Sequence, residues 1–248
     1  MSVTLVAHTL TPVGRNGYAP TLPQVASLDE LAPYLSRRLS RCRRSGEKLA
    51  LLWIELDPLP SPRADAASEP RGELVRTASL LRWSGKDRLP PGTWLERVND
   101  ELAETVSGGM FVCAVVGYYD PKSRQVEWAN AGFPPALVRR ADGRFEEFVA
   151  EGPPLAILPG MPYPPQQCDL GSDSLYFFSD GVTDVRDGNG EPIGLDGVRS
   201  LLERHAAAPP GPRLRGLLGE LRRLKLADDT TIMLIEAAGG TLPGVTGE

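Results

Sequence analysis

Cysteine and histidine are scarce in this chain, and their scarcity excludes several kinds of site. The 248 residues include three cysteines (Cys42, Cys113 and Cys168) and two histidines (His8 and His205). The cysteines form no Cys-x-x-Cys pair, which argues against a disulfide framework or a structural zinc site. Neither histidine has a partner at ligand spacing, so we expect neither a histidine-based catalytic triad nor a zinc-hydrolase site.

Long apolar runs and a strong charge imbalance are also absent. The best apolar run, residues 49–54, ends at Glu55 and is far shorter than the roughly 18 residues of a membrane-spanning helix. The N-terminus shows no basic region followed by an apolar stretch, so we expect no signal peptide. The net charge of -5 gives no general reason to expect nucleic-acid binding. We therefore expect a cytoplasmic protein with neither a nucleic-acid nor a membrane partner.

The chain is long enough, and apolar enough at 41% hydrophobic residues, to build a substantial core. Residues 1–26 contain several prolines and glycines, which predicts an irregular segment or an edge strand followed by a loop. Residues 27–237 form the predicted domain. Residues 238–248, rich in glycine and threonine, predict a flexible tail.

Hydrophobic periodicity divides the predicted domain into helices and strands. Helical spacing predicts helices over residues 27–39, 73–83, 93–106, 196–205 and 213–224. Thr93 and Glu96 have the spacing of a capping box, which places the start of the third helix at residue 93. Strand patterns cover residues 49–54, 110–119, 125–129, 136–140, 144–149, 175–179 and 230–236. Runs of antiparallel strands with segregated helices indicate an α+β domain.

Two short acidic motifs near the C-terminus carry the strongest chemical signal. Ser-Asp-Gly-Val-Thr-Asp occupies residues 179–184, directly after the apolar run 174–178, and Asp228 and Asp229 stand shortly before the apolar run 232–235. A carboxylate at the mouth of a strand is held in a fixed direction, and oxygen-rich sites of this sort suit Mg²⁺ or Mn²⁺. Either motif alone is compatible with a simple turn. Together they predict a metal site.

Seven segments of the chain share their order and spacing with a known family. They are residues 96–102, 109–114, 128–135, 151–155, 179–184, 191–194 and 228–231. Residues 94–236 thereby resemble the C-terminal part of SpoIIE/RsbU-type serine phosphatases, a bacterial branch of the metal-dependent, type 2C-like phosphatases. The resemblance implies an α+β fold with two packed β-sheets flanked by helices. It assigns residues 72–237 to the family-like part and leaves residues 27–70 as a divergent part.

The resemblance also implies an activity. It implies a protein serine/threonine phosphatase that hydrolyses phosphomonoesters with a metal-activated water, so that no side chain serves as the nucleophile. Asp180 and Asp228 would each bind one of two Mn²⁺ or Mg²⁺ ions about 3.5–4 Å apart, and Gly181, Asp184 and Asp229 are secondary candidates. The implied setting is bacterial signalling, with a phosphorylated regulatory protein such as an anti-sigma-factor antagonist as the substrate.

The N-terminal half departs from the family pattern. It lacks both the Gly-Gly-Asp motif and the Asp-Val-Ser-Gly-His-Gly motif that normally supply further ligands. On the aligned strand Glu55 falls closest to the bridging aspartate, with Asp57 as the alternative, and Phe133 stands where the family usually has histidine. Two hypotheses stay open: an active phosphatase completed by Glu55 or Asp57, and a catalytically inactive pseudophosphatase that binds a phosphoprotein or another regulatory partner.

A second, shorter resemblance lies in the N-terminal region. Residues 22–57 resemble the opening of a GGDEF diguanylate cyclase domain, but the Gly-Gly-Asp-Glu-Phe loop is absent. A helix followed by a buried strand that ends in acids is a generic pattern. A nucleotide-signalling domain is the third hypothesis.

Overall fold

The computed structural model describes residues 2–10, 49–57, 88–105, 111–120, 122–226 and 230–238, the first two ranges by their backbone alone. The strands of this part are β1 (Ser2–Leu10), β2 (Leu49–Asp57), β3 (Phe111–Tyr119), β4 (Gln125–Ala131), β5 (Ala136–Arg139), β6 (Phe145–Phe148), β7 (Gln166–Asp169), β8 (Ser174–Phe178) and β9 (Thr230–Ala238). Its helices are α1 (Pro91–Thr105), α2 (Asp180–Thr183), α3 (Gly194–His205) and α4 (Pro210–Leu221).

The chain divides into two compact units, each built around an antiparallel sheet. The first unit comprises residues 1–44, 136–147 and 170–248, and the second comprises residues 45–135 and 148–169. The first sheet has the strand order β1-β9-β8-β5-β6, and the second has the order β2-β3-β4-β7. Sheets and helices together give the α+β class that the sequence predicts.

The first unit has its core on the central strand β8. Every residue of β8 is buried, and the strand pairs with β9 on one side and with β5 on the other. A strand enclosed in this way reads as a continuous apolar run, which explains the sequence Leu-Tyr-Phe-Phe at 175–178. Helices α3 and α4 cover it with the buried side chains Val198, Leu201, Leu202, Leu214, Leu217, Leu218 and Leu221.

The second unit has its core between α1 and the strands β3 and β4. The apolar face of α1 contributes Trp94, Leu95, Val98 and Leu102 to one buried cluster with residues of both strands. The ring of Trp94 stacks on Tyr118 with 6.0 Å between centroids. Trp128 of β4 and Cys113 of β3 are also buried, outside this cluster.

Two sequence-based expectations about elements of the second unit were wrong. Residues 93–96 suggested a capping box, yet α1 begins earlier, at Pro91, and the Trp94 N–H donates to the Pro90 carbonyl at 2.9 Å. Proline suits the first helical position because its missing N–H has no intrahelical acceptor there. Strand β7 was not predicted, since its sequence Gln-Gln-Cys-Asp lacks an apolar pattern; it forms an edge strand by pairing with β4.

Several expectations fall where the chain is not described. The predicted helices 27–39 and 73–83 lie outside the described residues, as do residues 239–248 of the predicted tail. At the N-terminus, residues 2–10 form β1 at the edge of the first sheet, in line with the edge-strand alternative. None of the helices in the described ranges is both long and apolar enough to cross a membrane.

Candidate metal site

Asp180 lies directly beyond the buried end of β8. The strand ends at Phe178, Ser179 follows, and Asp180 begins the short helix α2 with its side chain exposed. The Asp180 carbonyl accepts hydrogen bonds from the Asp184 N–H at 2.9 Å and from the Thr183 hydroxyl at 2.8 Å. These two bonds fix the backbone of the turn that carries the carboxylate. An exposed oxygen donor on a rigid backbone fits a hard divalent cation.

Ser179 fixes this turn to the neighbouring strand β9. It is fully buried, its N–H donates to the Thr231 carbonyl at 3.1 Å, and its hydroxyl oxygen accepts the Thr231 N–H at 3.0 Å. The Ser179 carbonyl instead accepts the Val182 N–H at 3.0 Å, inside the turn. In the sequence, Ser179 is recognisable only as part of a motif. A serine between a buried strand and an acid was the signal that could have identified it.

The secondary candidates Gly181 and Asp184 lie in the same turn. Gly181 is buried within α2, and Asp184 is exposed at the end of that helix. The next acid, Asp187, closes a turn, because one of its carboxylate oxygens accepts the N–H groups of Asn189 at 2.8 Å and Glu191 at 3.1 Å. These backbone hydrogen bonds lower the pKa of Asp187. We therefore assign Asp187 to turn formation.

The remaining predicted ligands are distributed differently. Asp228 and Asp229 lie outside the described residues, immediately before β9 begins at Thr230. Glu55 and Asp57 belong to strand β2 of the second unit, where their backbones pair with Cys113 and Phe111. Among the described side chains, no group of three or more His, Cys, Asp or Glu residues could hold a metal ion. The structure thus describes the side chain of Asp180 but not those of these four predicted ligands.

Phe133, which replaces the family histidine, is part of a tightly held turn in the second unit. Its side chain is buried, and its N–H donates to the side-chain oxygen of buried Asn130 at 3.0 Å. The Asn130 amide nitrogen donates to the carbonyls of Phe133 and Pro134, each at 3.3 Å. Gly132 has a φ of 82°, a conformation that favours glycine. The turn is well formed, but an aromatic ring stands where the family carries an ionisable side chain.

A buried charge cluster occupies the opposite end of the β8–β9 pair. Arg213 of α4 is 8% exposed, and its Nη1 donates to Glu236 at 2.7 Å, to the Tyr176 hydroxyl at 3.0 Å and to the Ser174 hydroxyl at 3.2 Å. Its Nε and Nη2 donate to the Ala208 carbonyl. Burial raises the pKa of Tyr176, against the opposing effect of Arg213. The sequence does not reveal this cluster, because an arginine in an amphipathic helix suggests a solvent-facing position.

The first unit also has a surface groove that does not include Asp180. It measures about 440 Å³ and is lined by Phe145, Arg199, Ser200, Glu203 and Arg204. Ion pairs occupy its rim: Glu203 accepts from Arg139 at 2.7 Å, Arg204 pairs with Glu220 at 2.6 Å, and Arg199 pairs with Glu147. These neutralised charges give the groove no evident attraction for a phosphate, and we do not assign it to the site.

Comparisons with known proteins bear on the family. The family model described as Stage II sporulation protein E (SpoIIE) matches residues 72–238. A curated relative from Bacillus subtilis (strain 168), named phosphoserine phosphatase RsbU, is 27% identical over 168 residues, which are 63% of this chain. The chain spans about half the length of that relative, 49%.

Solved structures agree with the predicted fold. The RsbU and RsbW domains of a Mycobacterium tuberculosis protein match with a TM-score of 0.66 at 20% identity, over 97% of this chain and 61% of that one. A PP2C phosphatase domain with a regulatory fragment of SpoIIE from Bacillus subtilis matches with a TM-score of 0.62 at 13% identity, over 96% of this chain and 64% of that one. The type 2C phosphatase-like fold predicted from the sequence is confirmed. These comparisons do not test the GGDEF resemblance of residues 22–57.

Proposed function

The chain belongs to the SpoIIE family, and from that premise we propose that it is a metal-dependent protein serine/threonine phosphatase. The observation that carries the proposal is the position of Asp180. Its exposed carboxylate stands one residue beyond the hydrogen-bonded end of a fully buried strand, on a turn fixed by backbone hydrogen bonds. This is the placement that a ligand to a divalent cation requires.

Asp180 and Asp228 are the proposed metal ligands, with Asp184, Asp229 and the Gly181 backbone as secondary candidates. Carboxylate oxygen donors select Mg²⁺ or Mn²⁺ over softer transition metals. When bound, such ions lower the pKa of water and neutralise the charge that develops on a phosphoryl group. Glu55 and Asp57 are candidates for a further ligand, each to be tested by its own substitution.

The chain's own contribution to catalysis is to hold oxygen donors in fixed directions. A phosphate monoester repels nucleophiles through its own charge, so catalysis depends on positioning and on electrostatic stabilisation. The turn at residues 179–184 supplies such positioning because its peptide groups are bonded both within the turn and to β9. Cys113 is buried, which agrees with the absence of a side-chain nucleophile from the proposal.

The proposed substrate is a phosphorylated regulatory protein of a bacterial signalling system, of the anti-sigma-factor-antagonist type. Two similarities support it: the B. subtilis relative is named a phosphoserine phosphatase, and a structural neighbour joins RsbU and RsbW domains in one protein. Substrate selection then depends on protein–protein contacts. We therefore expect small phosphate esters to be hydrolysed more slowly than the protein substrate.

Calorimetric titration with Mn²⁺, run beside hydrolysis of p-nitrophenyl phosphate, tests the proposal. We expect binding and turnover in the wild type and the loss of both in Asp180→Asn and Asp228→Asn. Asp142→Asn is the matched control, since Asp142 is an exposed carboxylate of the first unit that pairs with Arg144 on a hairpin turn. Turnover in a clean Asp180→Asn preparation would contradict the assignment of Asp180. The same titration with Mg²⁺ ranks the two ions.

A pseudophosphatase is the second candidate, and the buried Phe133 favours it. An aromatic ring packed at 6% exposure cannot donate or accept a proton where the family usually has histidine. This hypothesis predicts one of two results. Either the chain binds Mn²⁺ without hydrolysing the phosphate ester, or it neither binds Mn²⁺ nor hydrolyses the ester. Phe133→His distinguishes the two candidates: a gain of turnover would indicate a family site silenced at this position, and unchanged turnover in an active wild type would show that the histidine is dispensable.

A further inference from the structure

We infer that Ser179 is a positioning residue for the Asp180 carboxylate, a role that rests on the proposed function. Ser179 itself touches neither substrate nor metal in this inference. Its side chain takes the place of its own carbonyl in the β8–β9 ladder, and this exchange lets the chain turn immediately before Asp180.

The register of the strand pair shows the exchange. Phe178 pairs with Ile232 in the antiparallel ladder, so Ser179 and Thr231 are the next pair. A hydrogen-bonded pair of an antiparallel ladder ordinarily exchanges two N–H···O=C bonds, and the pairs on either side of it exchange none. Here the first of these bonds is present, from the Ser179 N–H to the Thr231 carbonyl at 3.1 Å. The second is replaced, because the Thr231 N–H donates to the Ser179 hydroxyl oxygen at 3.0 Å.

The replaced carbonyl serves the turn instead. The Ser179 carbonyl accepts the Val182 N–H at 3.0 Å and so opens α2, although its side chain makes no capping bond to the helix. One residue thus completes the ladder with its hydroxyl and starts the helix with its carbonyl. As a consequence, no loop separates Asp180 from the sheet. Its backbone is therefore held in place by the buried strand.

Alanine at position 179 would remove only the hydroxyl. The Thr231 N–H would lose that acceptor and would compete for the carbonyl that now starts α2, which moves the backbone of Asp180. Residues that orient a metal ligand without contacting the metal typically contribute about 10–100-fold to metal affinity. We therefore expect Ser179→Ala to bind Mn²⁺ at least about 10-fold more weakly than the wild type.

Ser174→Ala is the matched control, because Ser174 begins the same strand. It is also buried, and its hydroxyl donates to Glu236 of β9 at 2.8 Å. Both substitutions remove one hydroxyl that joins β8 to β9, but only position 179 adjoins Asp180. We expect Ser174→Ala to lower the melting temperature while its Mn²⁺ affinity stays within about twofold of wild type.

The test combines Mn²⁺ calorimetry with amide hydrogen exchange of the metal-free, full-length protein. In Ser179→Ala we expect faster exchange at Thr231 and Val182, and in Ser174→Ala we expect wild-type exchange at both. Ser179→Thr retains the hydroxyl and should restore affinity to within a few-fold of wild type. Should Ser179→Ala fail to fold, Ser179→Cys takes its place, since its sulfur is a weak acceptor of similar shape.

The possible outcomes test the positioning role of Ser179 and the proposed function separately. Wild-type Mn²⁺ affinity in a folded Ser179→Ala protein, or equal losses in the two alanine variants, would overturn the positioning role and leave the proposed function intact. A wild-type chain that binds no Mn²⁺ would overturn the proposed function and, with it, the positioning role. A selective loss at position 179, accompanied by faster exchange at Thr231, supports both.

Discussion

The two ends of the β8–β9 pair place charge in opposite ways. At one end the ion pair of Arg213 and Glu236 is largely buried, and three further groups accept the arginine's other hydrogen bonds. At the other end the chain exposes the Asp180 carboxylate one residue beyond the ladder. A charge that is paired inside the protein contributes to specifying the structure. An exposed charge on a rigid backbone can bind a ligand, so this contrast supports the proposed metal-binding role of the end that carries Asp180.

The largest expected effect comes from breaking the buried end. Arg213→Met leaves the largely buried Glu236 without its cation, which should lower the free energy of unfolding by about 3–5 kcal/mol. Arg139→Met is the control, because its partner Glu203 is half exposed, and surface pairs contribute only about 0–1 kcal/mol. Urea denaturation measures both variants. Equal losses would show that the Arg213 cluster is not energetically special.

Stabilisation of the folded protein by Mn²⁺ should depend on the end of the β8–β9 pair that carries Asp180. A ligand at about 100 times its Kd adds about 2.7 kcal/mol to the stability of the state that binds it. We expect Mn²⁺ to give this increase in the wild type and in any Arg213→Met protein that folds, and to give none in Asp180→Asn. Thermal denaturation with and without Mn²⁺ measures it. A full increase in Asp180→Asn would remove the distinction between the two ends.

Of the two ends of the β8–β9 pair, the buried one should respond to alkaline pH. Burial raises the pKa of Tyr176, so the folded state retains the neutral phenol. Its contribution to stability is therefore complete below the ordinary pKa of about 10 and is lost as pH rises through the folded pKa. Tyr176→Phe should lower stability by about 1 kcal/mol at neutral pH and flatten the alkaline decline. Urea midpoints across this pH range test it, and an equally steep decline in the variant would contradict the assignment.

The smallest expected effect is a stabilisation. Asp180 and Asp184 are four residues apart on one helical turn, where like charges repel. In the absence of metal, Asp180→Asn should therefore raise the melting temperature by about 1 °C. Calorimetry in a chelator-treated buffer at low salt detects it. A lowered melting temperature would mean that the Asp180 carboxylate has a structural function.

The family could be recognised from the order and spacing of its motifs, whereas the α+β class and most strands could be predicted from apolar periodicity. The apolar runs of β8 (Leu-Tyr-Phe-Phe) and of β3 can be recognised without knowledge of their partners. Strand β7 could not be recognised, since a polar edge strand owes its conformation to the neighbour β4. The start of α1 was misplaced because a capping pattern at Thr93 competed with Pro91, which begins the helix.

The candidate site was predictable only in part. Asp180 could be identified because an acid after an apolar run is a local pattern. The Arg213 cluster brings together residues from α4, β8 and β9 that are distant in sequence, so no local pattern announces it. The function of Ser179 depends on which of its two oxygens enters the ladder, and a sequence does not state that choice. The assignments of Asp228, Asp229, Glu55 and Asp57 to the metal site stay predictions.

The bond between Ser179 and Thr231 also determines when the turn at Asp180 can form. The two residues are 52 positions apart, and helices α3 and α4 lie between them. Closing so long a loop loses chain entropy before the contact is made. During synthesis, Thr231 emerges after both helices, so a chain that stops before β9 has no partner for Ser179. We therefore expect the turn at Asp180 to be among the last of these elements to order, and a divalent ion that binds there to stabilise only a chain in which β9 has paired.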